Sequence, residues 1–180
     1  MSPTSSVRSS QGFALIDILF VIGILGILAT LATPRLLLAR QSAGAASAIG
    51  SMRTISSSQL TYALTCAGGF YAPNLTTLGT PPPGSDTPYI SPNLSSADAI
   101  DHSGYLIQMA ATPFAGAPPA CNGLAAGQTG QGFKAGADPL EATNTRYFAI
   151  NSNGQIFEDV ASMYVAMPEM GQPPSGQVLR

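Results

Sequence analysis

The longest apolar stretch of the chain lies near its start. It covers residues 13–33, and Asp17 is the only charged side chain in these 21 positions. As an α-helix this stretch would be about 32 Å long, enough to cross a bilayer core of about 30 Å. A secretory signal peptide has a shorter apolar run and a small-residue cleavage site after it, whereas Pro34 and Arg35 follow here. The pattern predicts a membrane-spanning helix, and its length disfavours a buried core helix.

Helical periodicity continues beyond Pro34. Small and medium-sized residues recur at spacings of three or four, which predicts one packed helix face made of Ala45, Ile49, Met52, Ser56, Leu60 and Ala63. We expect one helix from Phe13 to about Thr65, kinked at Pro34 because proline lacks the N–H that a helix interior needs. Residues 13–34 would lie in lipid or a filament core, and residues 35–65 would pack on a small head.

The pattern changes after Cys66. Residues 66–103 are rich in proline and predict a long variable loop with a short helical turn at residues 98–101. Strands are predicted at residues 104–112, 132–137, 145–150 and 155–160, and the last two flank Asn-Gly, a hairpin signal. The predicted class is α+β, in which an antiparallel sheet of three or four strands at residues 104–167 packs on the helix. Residues 168–180 are predicted to be an extended or mobile tail.

Composition excludes several function classes. Charged residues make up only 9% of the chain and the formal net charge is −2, which disfavours nucleic-acid binding as the main role. His102 is the only histidine, so a histidine-rich metal site is excluded. We expect no enzyme activity, no metal and no cofactor. The chain is instead predicted to contact lipid or copies of itself.

Asp17 is the most informative single residue. A carboxylate in a membrane helix costs roughly 2.5–3.5 kcal/mol at the bilayer centre and less near the ends, so such residues usually have a partner. If a peptidase cut after Gly12, Phe13 would carry a free, positively charged amine. That amine and the Asp17 of an adjacent copy could neutralise each other and fix the stagger of two helices.

These residues resemble the start of a type IV prepilin or a type II secretion pseudopilin. The shared features are a short leader ending in Gly12, then Phe13, three apolar residues, an acidic residue and a long apolar run. Asp17 stands where this family usually has glutamate, and Pro34 stands where a helix-kinking proline is common. The motif covers residues 8–34.

The resemblance implies how the chain is processed and assembled. A membrane prepilin peptidase would remove leader residues 1–12, Phe13 would be N-methylated, and the helices would polymerise into a filament. The implied partners are other pilin subunits, that peptidase, an assembly ATPase and a platform protein. The prepilin would cross the bacterial inner membrane once, with its head outside the cytoplasm, and the filament would be extracellular or periplasmic. The type IV pilin-like fold is a long helix on a small antiparallel head.

Three functional alternatives follow. The first is a type IV pilus-like subunit that serves adhesion, motility or DNA uptake, and the second is a pseudopilin of a type II secretion system. The third is a single-pass anchored binding domain, which leaves Asp17 unexplained. Counting positive charges on either side of the span would place the C-terminal part in the cytoplasm or leave it undecided, because Arg35, Arg40 and Arg53 follow the span and Arg8 with the α-amine precedes it. The orientation therefore rests on the resemblance.

Three further candidate sites lie in the head. Cys66 and Cys121 are the only cysteines, and in an exported chain they suggest one disulfide, with two free thiols as the alternative. The cluster Asp98, Asp101, His102 and Ser103 could suggest a hydrolase, but a solvated loop is the better interpretation because adjacent residues rarely face each other correctly. Residues 151–154 with Glu158 faintly resemble a calcium loop, and a tight turn is favoured.

Overall fold

The computed structural model of the protein describes residues 11–179. The chain divides into two units, Met1–Gln41 and Ser42–Arg180. Helix α1, Gln11–Thr65, contributes to both units and contains Pro34. Of the predicted leader, residues 1–10 lie outside the described part, and Gln11 and Gly12 begin α1. The predicted long apolar helix is therefore confirmed.

The second unit begins with the C-terminal part of α1, which packs through one face. Its buried positions follow a spacing of three and four residues: Ala45, Ala48, Met52, Ile55, Gln59 and Tyr62. The predicted face is wrong at Leu60, which is 54% exposed. Consecutive helix residues point about 100° apart, and the buried face extends from Gln59 toward Ser58, which leaves Leu60 on the outer side. Gln59 takes the buried place because its amide pairs with the main chain of Ala72.

Glycines end α1 and a proline-rich segment follows it. Gly68 and Gly69 have φ angles of 60° and 98°, a left-handed geometry that glycine adopts without strain. Two single-turn helices follow, α2 at Leu75–Leu78 and α3 at Pro92–Ser95. The segment predicted as a long loop therefore contains short helices, and Asn74 caps the first by accepting the N–H of Thr77.

A six-stranded antiparallel sheet forms the rest of the second unit. Its strands lie in chain order: β1 Ala99–His102, β2 Tyr105–Ala110, β3 Lys134–Pro139, β4 Tyr147–Asn151, β5 Ile156–Asp159 and β6 Gln177–Val178. The sheet thus has two more strands than the upper end of the prediction. The predicted hairpin is confirmed, since β4 and β5 pair across the turn that ends in Gly154. The α+β class is also confirmed.

Strand β1 corrects the predicted helical turn at residues 98–101. Ile100 is buried while Ala99 and Asp101 on either side are exposed, an alternation typical of a half-buried strand. Ser103 and Gly104 connect β1 to β2 with φ angles of 55° and 81°. Positive φ at both central residues is the geometry of a two-residue hairpin, and it matches the twist of the flanking strands.

Both faces of the sheet are covered. Toward α1 the sheet presents alternate residues of its central strands, among them Tyr105, Ile107, Met109, Phe148 and Ile150. On the other face Ala149 and Phe157 pack with Met163 and Met167, which follow β5 in the chain. Gly136 in β3 makes this covering possible, because a Cβ there would lie 2.8 Å from the Cβ of Tyr164. The C-terminal tail then returns to the sheet as β6.

Candidate functional site

The first candidate site is the apolar part of α1 in the first unit. It is a helix long and apolar enough to span a membrane. Its large side chains between residues 15 and 28 are all exposed within the chain: Leu15, Ile16, Ile18, Leu19, Phe20, Val21, Ile22, Ile24, Leu25, Ile27 and Leu28. Covering each such side chain with apolar surroundings is favourable by about 1.5–3 kcal/mol. This surface therefore favours lipid or other helices over water.

Asp17 lies inside this exposed apolar surface. Its neighbours Ile16 and Ile18 are 73% and 60% exposed. Among the described residues, no hydrogen bond or ion pair reaches the Asp17 carboxylate. The threonines of the same span differ, because the hydroxyls of Thr30 and Thr33 donate to the carbonyls of Ile27 and Ala29 at 2.8 and 2.7 Å. The hydroxyls of this span are thus bonded within the helix, whereas the carboxylate of Asp17 has no such bond among the described residues.

The other residues of the motif are positioned by α1 itself. Gly12 and Phe13 lie in its first turn, although the Phe13 side chain is outside the described part of the chain. Pro34 is inside the helix, so the carbonyl of Thr30 lacks the N–H that it would otherwise accept. Cleavage after Gly12 and methylation of Phe13 remain predictions.

The second candidate site is the disulfide between Cys66 and Cys121, in the second unit. The structure contains this bond, so the disulfide prediction is confirmed and the free-thiol alternative is wrong. The N–H of Cys121 also donates to the carbonyl of Cys66 at 3.0 Å, and the Tyr89 hydroxyl lies 3.4 Å from the Cys121 sulfur. The bond joins the end of α1 to a loop 55 residues further along the chain.

Two tyrosines and an asparagine surround this disulfide. The rings of Tyr62 and Tyr89 meet edge to face with centroids 5.2 Å apart. The Tyr62 hydroxyl donates to Oδ1 of Asn122 at 3.3 Å, and Nδ2 of Asn122 donates to the carbonyl of Thr77 at 3.1 Å. This cluster connects α1, α2 and the loop that carries Cys121, which is a structural arrangement.

The Tyr62 phenol predicts a pH dependence of stability. Burial, and then the neighbouring Tyr89, raise the pKa of Tyr62 to about 12. The unfolded chain loses this proton near pH 10, so the folded state binds more protons between pH 10 and 12. We expect the free energy of unfolding to fall by up to about 2 kcal/mol over that range. Denaturant unfolding at pH 9 and pH 11.5 measures this fall, which should be smaller in Tyr62→Phe. Equal falls in both proteins would contradict the prediction.

A cleft of about 1130 Å³ lies beside β5 and β6. Its charged groups are held by partners in the chain. Arg146 binds Glu158 through two hydrogen bonds of 2.6 and 3.2 Å. Hydrogen bonds from Ser175 and from the N–H of Val160 lower the pKa of Asp159. The charged groups of the cleft are therefore bonded to each other or to the main chain. Among the described residues that line it, no acid and base are left free to act as a catalytic pair.

The residues of the hydrolase alternative are not assembled into a catalytic arrangement. Asp98 accepts hydrogen bonds from Thr76 and Asn74 and so holds the start of α2. Ser103 accepts the hydroxyl of Ser47 at 2.9 Å, and Asp101 is exposed. In residues 11–179 no hydrogen bond joins His102 to Ser103.

The calcium-loop residues likewise have structural partners. Nδ2 of Asn151 donates to the carbonyls of Pro168 and Gly171 at 3.1 and 2.8 Å, which anchors the C-terminal tail. Glu158 is paired with Arg146. Over the described part of the chain, no group of three or more His, Cys, Asp or Glu side chains is placed to hold a metal ion.

Sequence reasoning missed Gln59 and Asn122, the buried or half-buried amides that connect α1 to the loops around it. Gln59 accepts the N–H of Ala72 at 2.8 Å and donates to its carbonyl at 2.9 Å. The available signal for Gln59 was its position, three residues before Tyr62 and four after Ile55 on the buried face.

Comparison of this chain with family models, with curated proteins and with solved structures gave no match.

Proposed function

We propose that this protein is a type IV pilin-like filament subunit, made as a membrane-inserted prepilin. The observation that carries the proposal is Asp17, a carboxylate without a partner in the described residues, on an exposed apolar helix one turn after Phe13. Cleavage after Gly12 creates an amine at Phe13. In the filament that amine pairs with the Asp17 carboxylate of a neighbouring copy.

The exposed apolar side chains of α1 are covered by two different environments in succession. In the prepilin, lipid covers these side chains. In the filament, the same side chains of neighbouring copies cover each other. Lipid is as apolar as leucine, so moving from lipid to a helix bundle yields little hydrophobic free energy. Packing of the helices and pairing of Asp17 with the amine must therefore favour the filament, which gives the carboxylate its role.

The proposal includes a location and partners. The prepilin crosses the bacterial inner membrane once, with its sheet-bearing head outside the cytoplasm. A prepilin peptidase cleaves and methylates it, and an assembly ATPase with a platform protein drives polymerisation. The disulfide between Cys66 and Cys121 is consistent with a head outside the cytoplasm, because disulfides persist in oxidising compartments.

Mass spectrometry of the N-terminal peptide tests the proposal. Protein isolated from its native cells should yield a peptide that begins at Phe13 and carries one methyl group on its amine. A peptide that begins at or near Met1 would overturn the proposal and favour a single-pass anchored binding domain. Electron microscopy of the same cells separates the remaining alternatives, since a pilus extends from the cell surface and a type II secretion pseudopilus stays in the periplasm.

A further inference from the structure

We propose that Arg35 and Arg40 form a docking surface for the acidic heads of neighbouring copies of this chain. This inference rests on the proposed filament and assigns its second electrostatic contact, separate from Asp17. Both arginines are exposed and lie within seven residues of the end of the apolar run. Neither arginine forms an ion pair within the described residues. The salt bridge found there joins Arg146 and Glu158.

The charges of the chain are strongly separated along its length. Between Asp17 and Asp86 the only charged residues are Arg35, Arg40 and Arg53, a formal charge of +3. From Asp86 to the end there are eight carboxylates and three basic residues, a formal charge of −5. Copies that pack side by side can bring the acidic part of one chain beside the basic part of another. Complementary charge of this kind selects partners and fixes register.

Most carboxylates of the head already have partners within the chain. Those with hydrogen bonds are Asp98 to Thr76, Asp138 to Ser162, Glu158 to Arg146, Asp159 to Val160 and Glu169 to Thr112. Asp86, Asp101 and Glu141 are exposed and have none of these contacts in residues 11–179. These three carboxylates are therefore available for a contact between copies.

Asp101 and Glu141 lie at the same end of the sheet. Asp101 precedes the β1–β2 turn, and Glu141 follows β3 by two residues. The N–H of Leu140 donates to the carbonyl of Gly104 at 3.0 Å, which holds the two segments together. This acidic rim, defined here as Asp101 and Glu141, presents two carboxylates that can meet two guanidinium groups. Arginine is suited to this contact because its planar fork binds carboxylates through two hydrogen bonds.

A charge exchange in full-length protein in native cells tests the contact. Arg35→Glu with Arg40→Glu should lower the yield of sheared filaments at least about tenfold. Two carboxylates would then face each other at each contact, so repulsion would take the place of attraction. Asp101→Arg with Glu141→Arg should give a similar loss. All four substitutions together should restore the yield to within about threefold of wild type. The matched control Arg35→Lys with Arg40→Lys keeps the charge but loses the planar fork, so its filament yield should lie between those of wild type and the glutamate variant.

Each outcome separates the possibilities. Normal filaments in the first double variant, or failure of the fourfold variant to restore them, would overturn the docking surface. A first double variant whose membrane-bound form is itself reduced, and which the fourfold variant does not rescue, would show that the arginines bind lipid phosphates instead. Wild-type protein that keeps residues 1–12 or forms no filaments would refute the proposed function before the charge exchange is reached. Formation of the Cys66–Cys121 disulfide reports that each variant head has folded.

Discussion

Replacing Asp17 with asparagine is expected to abolish filaments without lowering the amount of the membrane-bound protein. The carboxylate opposes insertion, by roughly 2.5–3.5 kcal/mol at the bilayer centre and less near the ends, so its removal makes insertion easier. In the filament, however, removal leaves the Phe13 amine of a neighbouring copy as an unpaired charge in apolar surroundings. Breaking a buried ion pair by removing one partner typically costs about 3–5 kcal/mol. Membrane form and filament should thus respond in opposite directions.

The measurement is quantification of both forms in native cells, by immunoblot of membranes and of sheared filaments. Thr33→Val is the matched control, because the Thr33 hydroxyl donates only to the Ala29 carbonyl of its own helix. That variant should assemble normally. Asp17→Glu keeps the charge with a longer reach and should also assemble. Filaments at wild-type level in Asp17→Asn would contradict the pairing of Asp17 with the amine.

The long helix could be predicted from sequence because its signal is local. An apolar run of 21 residues interrupted by one charge has few alternatives, and the structure confirms the helix. The hairpin at Gly154 was predictable for the same reason, since the turn residues and both strands are adjacent in the chain. Such local patterns contain the physical cause of the element within a short window.

Two short strands and one buried amide were missed. Strand β1 is four residues long and exists because Ile100 pairs with Ile107 and enters the core. Strand β6 has two residues and forms on the edge of β5, far from it in sequence. The buried place of Gln59 is explained by Ala72, on the loop that α1 packs against. The contacts of β6 and Gln59 are tertiary and leave little trace in a local window, whereas β1 was missed because its four residues are too few to show an alternating pattern.

The candidate site divides in the same way. Asp17 was identified from sequence because an isolated charge in an apolar run is conspicuous. The sequence could not show which carboxylates of the second unit lack a hydrogen-bond partner, since Asp98 and Asp101 look equivalent in it. Only the fold shows that Asp98 holds the start of α2 while Asp101 is exposed without a partner in the described residues.

Removing the disulfide should destabilise the head more than any other change considered for that unit. Cys66 and Cys121 are separated by 55 residues, and the chain-entropy estimate for a loop of that size is about 4 kcal/mol. Typical domains have a total stability of about 5–15 kcal/mol, so the loss is a large fraction of the whole. The bond also joins the end of α1 to the loop that carries Asn122, so its loss releases the connections around Tyr62.

The test is denaturant unfolding of full-length protein in detergent, with tyrosine near-UV circular dichroism as the signal from the head. Cys66→Ala with Cys121→Ala should lower the free energy of unfolding by about 4 kcal/mol, and chemical reduction of wild type should give a similar decrease. Tyr89→Phe is the control, because it removes the hydroxyl beside the Cys121 sulfur but keeps the bond, and should cost about 1 kcal/mol or less. If the double alanine variant changed stability no more than Tyr89→Phe, the disulfide would not be what fixes the loop to the helix, and the tyrosine–asparagine cluster would be the main connection.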